Sequence, residues 1–128
     1  MTSIADSQPQ VIDLSPQEFN QLSNPPRLID VRFQGEYDQF HAPNAVNLSL
    51  PRILMNNSPW LRRYVVPQWF KALPKDEPIA LICLTSHRSP IAAKQLVKAG
   101  FAEVYNITGG MMEWRKLGLP TSQMTKNE

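Results

Sequence analysis

Apolar residues along this chain fall in short runs, and the stretches between them carry helical spacing. Leu28-Ile29-Asp30-Val31 predicts a short buried strand, and residues 45–48 predict a second. Ile79-Ala80-Leu81-Ile82 is the most hydrophobic run. It starts cleanly after Pro78 and has the apolar character of a central parallel strand. Val104-Tyr105-Asn106-Ile107 predicts the last strand.

Helix signals sit between these runs. Ser15-Pro16-Gln17-Glu18 is a helix start: Ser15 caps, Pro16 suits the first position, and Glu18 completes a capping box. Gln34–Gln39 predicts a short helix. A longer one is predicted over 89–99, capped by Ser89, with Pro90 in its first turn and Gly100 as a left-handed stop. Its buried face is predicted to be Ala92, Leu96 and Ala99. Gly109-Gly110 opens a last helix over 111–117, closed by Gly118 and Pro120. Met111, Met112 and Trp114 are expected to pack that helix. Residues 51–78 read as one or two helices with poorly marked ends. Strands alternating with helices indicate an α/β domain with a mainly parallel sheet. The domain is expected over 10–120, with tails at 1–9 and 121–128.

Composition narrows the picture. A chain of 128 residues suits one domain, and 42% hydrophobic with 19% charged residues is enough for one core. Twelve prolines punctuate loops. A net charge of +2 suits small anionic substrates and gives no reason to expect nucleic acid. One cysteine excludes an intramolecular disulfide and a cysteine-cluster metal site, and it fits a reducing compartment. The first ten residues lack the apolar core of a signal peptide, and no run suits a membrane span. A cytoplasmic protein without membrane attachment is the expectation.

The informative segment is Cys83-Leu84-Thr85-Ser86-His87-Arg88-Ser89, which joins the most buried strand to the capped helix. Ligands of open α/β sheets bind at the carboxyl ends of strands. A loop wrapping into a helix N-terminus there points N–H groups inward and attracts anions. That field favours the thiolate of Cys83, and Arg88 adds positive charge at the rim. Inert packing is the competing reading, because cysteine is among the most buried residue types. The polar residues and capped helix that follow favour the nucleophile.

These residues resemble the rhodanese-like family over nearly the whole ordered length. Leu28-Ile29-Asp30-Val31-Arg32, Glu36-Tyr37 and His41-Ala42-Pro43-Asn44-Ala45 resemble its first signature. Cys83 to Ser89 resembles its active-site loop. Gly100-Phe101, the run from Val104, Gly109-Gly110, Trp114 and Gly118-Leu119-Pro120 resemble its C-terminal signature. The resemblance implies a three-layer α/β/α domain with a central, mainly parallel five-stranded sheet. It also implies a sulfurtransferase. Cys83 would take a sulfane sulfur from thiosulfate or another anionic donor, hold it as a persulfide, and pass it to cyanide or a thiol, including one on a protein. Backbone amides of Leu84, Thr85, Ser86, His87 and Arg88 would bind the substrate, with no metal or organic cofactor. Cys83 to Arg88 spans six residues, the sulfurtransferase length. Phosphatases and arsenate reductases of this fold use one more.

Ser86 stands where many relatives have glycine, and Phe40 and Asn44 replace common glycines of the first signature. A left-handed Ser86 would cost about 1 kcal/mol. Asp30 and Arg32 border the site in the family and are secondary substrate-contact candidates; the favoured role is an ion pair tying the strand end. His41 reads as a backbone-bonding turn residue rather than an acid or base. His87 is either a contributor of positive charge or a solvent-facing residue. Trp60 and Tyr64, four apart, read as helix packing or a cleft wall, with Trp69, rather than a nucleic-acid surface. The rival functions are a non-catalytic partner-binding module, disfavoured by the retained Cys83, and an oxyanion reductase or phosphatase, disfavoured by loop length.

Overall fold

A computed structural model of the chain describes residues 10–123. The expected tail at 1–9 lies outside these residues, as does 124–128. Within the predicted C-terminal tail, Ser122 is anchored: it exchanges backbone hydrogen bonds of 2.8 Å with His41 in an antiparallel bridge.

The elements in chain order are β1 (Val11–Leu14), α1 (Pro16–Asn20), β2 (Arg27–Asp30), α2 (Gln34–Gln39), β3 (Val46–Asn47), α3 (Leu50–Met55), α4 (Pro59–Val65), α5 (Gln68–Lys71), β4 (Ile79–Ile82), α6 (Ser89–Lys98), β5 (Val104–Ile107) and α7 (Gly110–Lys116). The strands form one sheet in the order β1-β5-β4-β2-β3, and every pairing is parallel. The domain is therefore α/β with a five-stranded parallel sheet.

The period-2 geometry of the strands divides the core into two layers. Ile29, Val31, Ile79, Leu81, Cys83 and Val104 face one side, against Ile53 of α3, Phe70 of α5, and Ala92, Ala93 and Leu96 of α6. Leu28, Ala80, Ile82 and Ile107 face the other, against Phe19 of α1 and Met111 and Trp114 of α7. All four residues of β4 are buried, as expected of a strand covered on both faces. The Ser15 capping box forms as its sequence predicts: the hydroxyl accepts from Glu18 N–H at 3.0 Å, and the Glu18 carboxylate accepts from Ser15 N–H at 2.8 Å.

One strand was not foreseen, and two sequence expectations need correction. The strand β1 carries no clear run signal, because its half-buried ends Val11 and Leu14 flank two exposed residues, Ile12 and Asp13. Residues 51–78 carry three short helices, α3 (which starts at Leu50), α4 and α5, rather than one or two. Trp60 and Tyr64 do lie four apart on α4, with ring centroids 6.4 Å apart, but they are 77% and 70% exposed. Their spacing pairs them on the surface instead of burying them. Trp69, by contrast, packs against the core beside Phe70.

Candidate active site

The carboxyl end of β4 delivers Cys83 to the centre of the sheet, with β2 and β5 on either side. The loop to α6 then curls over it. Cys83 has no exposed surface. Its thiol donates to the Ser89 hydroxyl at 3.4 Å, and that hydroxyl donates to Asn106 Oδ1 at 2.6 Å. The Asn106 amide in turn donates to Asp13 Oδ1 at 3.1 Å and to the Ser86 hydroxyl at 3.3 Å. Asp13 accepts only, so it turns the Asn106 amide nitrogen toward itself and the oxygen toward Ser89.

Ser89 is consequently not the helix cap its sequence suggested. Arg88 occupies the cap position with helical backbone, and the buried Ser89 hydroxyl is committed to Cys83 and Asn106.

The loop's carbonyls and amides have different fates. Cys83 C=O accepts from Met111 N–H at 2.7 Å, and Leu84 C=O accepts from Met112 N–H at 2.9 Å. The first turn of α7 thus holds the start of the loop. Among the described residues, none of the five N–H groups from Leu84 to Arg88 has a protein acceptor. Successive amides left unpaired at the start of a ten-residue helix are available to an anion.

Ser86 has φ +70°, so the left-handed geometry conditional in the sequence is real. Its hydroxyl offsets part of the strain by donating to Ile107 C=O at 3.4 Å while accepting from Asn106. Asn44 is likewise left-handed at φ +68°, which asparagine tolerates. Phe40 is extended at φ −166° and so needs no glycine. His87 is exposed, its Nδ1 2.6 Å from Thr85 Oγ1.

Arg88 reaches back to α2. Its guanidinium donates to both carboxylate oxygens of Glu36, at 2.7 and 3.0 Å. The Glu36 carboxylate also accepts from Phe33 N–H at 3.0 Å, covering the start of α2. Its fork of bonds from Arg88 holds Glu36 below the usual carboxylate range, and the same fork raises Arg88 further, with smaller Coulombic contributions from Cys83 and Asp30. A carboxylate held low stabilises the fold fully above the usual carboxylate range, and that contribution is lost as pH falls through its lowered folded value. The melting-temperature gap between wild type and Glu36→Gln is expected to be widest near neutrality and to close in acid. Thermal melts across pH would check this, and a gap unchanged down to strong acid would contradict it.

Asp30 and Arg32 lie under the end of β2, both buried, joined at 2.8 Å between Nη2 and Oδ2. Arg32 N–H donates to Asp30 Oδ1 at 3.0 Å, and the guanidinium donates to Phe40 C=O at 2.5 Å. Both side chains are committed to each other and to the backbone, which ties down the strand end beside the site. His41 bonds Tyr37 C=O at 2.7 Å through Nδ1 and stacks on the Tyr37 ring at 3.8 Å, the structural role expected of it.

Sequence reasoning missed Ser89 as a partner of the thiol, Asn106 and Asp13 as the frame behind it, and Glu36 as the anchor of Arg88. Of these, only Glu36 carried a signal, as part of the first signature.

The fold and the loop define a parallel α/β domain with a buried cysteine at the carboxyl end of its central strand. The chain belongs to the rhodanese-like domain family, which it matches over residues 15–117. It is 31% identical over 100 residues to the thiosulfate sulfurtransferase GlpE of Coxiella burnetii, covering 78% of this chain and 80% of that one. A sulfurtransferase of Allochromatium vinosum is 28% identical over 93 residues, covering 73% and 75%. Among solved structures, a rhodanese-related protein of Thermoplasma volcanium has a TM-score of 0.67 at 22% identity, covering 87% of this chain and 97% of that one. A rhodanese-like domain protein of Staphylococcus aureus has a TM-score of 0.62 at 23% identity, covering 80% and 90%. The family is thus one of sulfurtransferases. No helix among the described residues is long and apolar enough to cross a membrane.

Proposed function

We propose that the protein moves a sulfane sulfur from thiosulfate, or a similar anionic donor, to cyanide or a thiol through a persulfide on Cys83. The observation that carries this reading is the set of five N–H groups, Leu84 to Arg88, left without protein acceptors around a thiol at a strand end. They suit the donor's anionic oxygens and the terminal sulfur of a persulfide.

In the first step the Cys83 thiolate attacks the outer sulfur of thiosulfate. A bond from Sγ to that sulfur forms, the sulfur–sulfur bond of the donor breaks, and its electron pair leaves with sulfite. In the second step an acceptor attacks the outer sulfur of the persulfide, and the pair of the breaking bond returns to Sγ. Cys83 is the nucleophile. Arg88, fixed by Glu36, supplies charge at the rim. Leu84 to Arg88 supply the cradle through backbone N–H groups, and Asp30 with Arg32 holds the floor. Because Sγ has no exposed surface, the loop must open to admit the donor.

The test is direct. Purified protein treated with thiosulfate is expected to gain one sulfur on its single cysteine, seen by peptide mass spectrometry. Added cyanide is expected to remove it and release thiocyanate. Neither adduct nor thiocyanate would overturn the reading.

A further inference from the structure

Beside the Cys83 loop lies an open groove of about 410 Å³, lined by Phe40, Leu84, Met112, Arg115 and Lys116. Groove and loop share a wall: Leu84 follows Cys83 directly, and its carbonyl holds the Met112 N–H. The floor is apolar, with Phe40 and Leu84 half-buried and Met112 57% exposed. The charges on the lining are all positive. Arg115 sits with its guanidinium 4.3 Å from the centroid of the Phe40 ring, which holds it over the groove. Among the described residues, neither Arg115 nor Lys116 has a carboxylate partner within ion-pair distance.

We propose that this groove binds the sulfur acceptor, and that the acceptor is a small thiol carrying carboxylate groups. The inference rests on the sulfur-transfer reading above. An anionic donor finds its oxygens' partners at the loop amides, so the two cations of the groove remain for the second substrate. Cyanide has no use for an apolar floor, and a neutral thiol has none for paired cations. A carboxylate suits both cations: the arginine fork can take it through two parallel hydrogen bonds, and lysine acts as a point charge. The volume fits a molecule of a few residues' size rather than a protein face. Bound there, the acceptor's thiolate reaches the loop from the Leu84 side. Its sulfur bonds to the outer sulfur of the persulfide, the bond to Sγ breaks, and the electron pair returns to Cys83. The acceptor leaves as a persulfide, and no outside oxidant or reductant enters.

The probes are glutathione and its diethyl ester, which share one thiol and differ in carboxylate charge. With persulfide-loaded protein, kcat/KM is expected to favour glutathione by about tenfold or more, mainly through KM. In the Arg115→Gln/Lys116→Gln double variant that ratio is expected to fall toward one. Lys98→Gln, on the exposed face of α6, is expected to keep it. Wild-type protein that forms thiocyanate yet treats the two thiols alike would overturn this inference and leave the reading above standing. So would a preference that survives the double variant. Fast transfer to a dithiol protein with both small thiols refused would overturn it as well. Absence of both adduct and thiocyanate in wild type would instead sink the sulfur-transfer reading.

Discussion

Replacing Arg32 with methionine is expected to cost roughly 3–5 kcal/mol of folding stability, the range for breaking a buried ion pair from one side. The substitution keeps the apolar stem but strips the partner from a carboxylate that has no exposed surface. Asp30 would retain only the Arg32 backbone N–H, and Phe40 C=O would lose its guanidinium donor. The damage spreads through the backbone. Asn47 Nδ2 donates to the carbonyls of both Asp30 and Arg32, at 3.0 and 2.8 Å, and Val31 N–H donates to Ile82 C=O at 2.9 Å beside Cys83. Urea denaturation followed by far-UV circular dichroism would measure the loss. The double variant Asp30→Leu/Arg32→Met is expected to recover part of it, because no charge is then stranded. A single-variant cost under about 1 kcal/mol would show that Asp30 finds water or another donor and would contradict the account.

Introducing a methyl group at Gly110 is expected to lower sulfur transfer by at least about a hundredfold, the scale for displacing a catalytic group by roughly an ångström. Gly110 has φ +60°, and a Cβ there would meet Cys83 O at 2.4 Å and Leu84 O at 2.5 Å. Both are backbone atoms, so neither yields cheaply. Relief requires the first turn of α7 to lift away, breaking the bonds from Met111 and Met112 that hold the loop. Gly118→Ala is the control: its φ is +73° and nothing lies within 4 Å of the added carbon. It carries the left-handed strain of about 1 kcal/mol without touching the loop and is expected to stay active. Thiocyanate formation by both variants, with melting temperatures alongside, separates cradle damage from general instability. Near-normal transfer by Gly110→Ala would mean that the contact between α7 and the loop does not position Cys83.

Most of the strand and helix order was legible. Four of the five strands announced themselves as short apolar runs, and the α1 cap and the terminal helices were marked by Ser, Pro and Gly. The exception is β1, whose two middle residues are exposed. It draws its stability from pairing with β5, from Val11 opposite Val104 to Leu14 opposite Ile107, and its own pattern says little. The misreading at Trp60 and Tyr64 has a related cause. Spacing of four places two side chains on one face of a helix, but only the surrounding fold determines whether that face is covered.

From residue types and order alone came the α/β class, the loop and helix after the most buried strand, and Cys83 as the loop's first residue. Local chemistry suffices for these, since apolar runs, caps and turn residues act within a few positions of themselves. Everything that joins distant segments was decided by the tertiary structure. Glu36 comes to Arg88, Asn106 and Asp13 come behind Ser89, and α7 closes on the loop through Gly110 because the parallel order β1-β5-β4-β2-β3 brings their strand ends together. A hydrogen bond across that many residues leaves no periodicity in the sequence. Ser89 shows the difference most sharply: its sequence position says helix cap, and the fold turns its hydroxyl to the thiol instead.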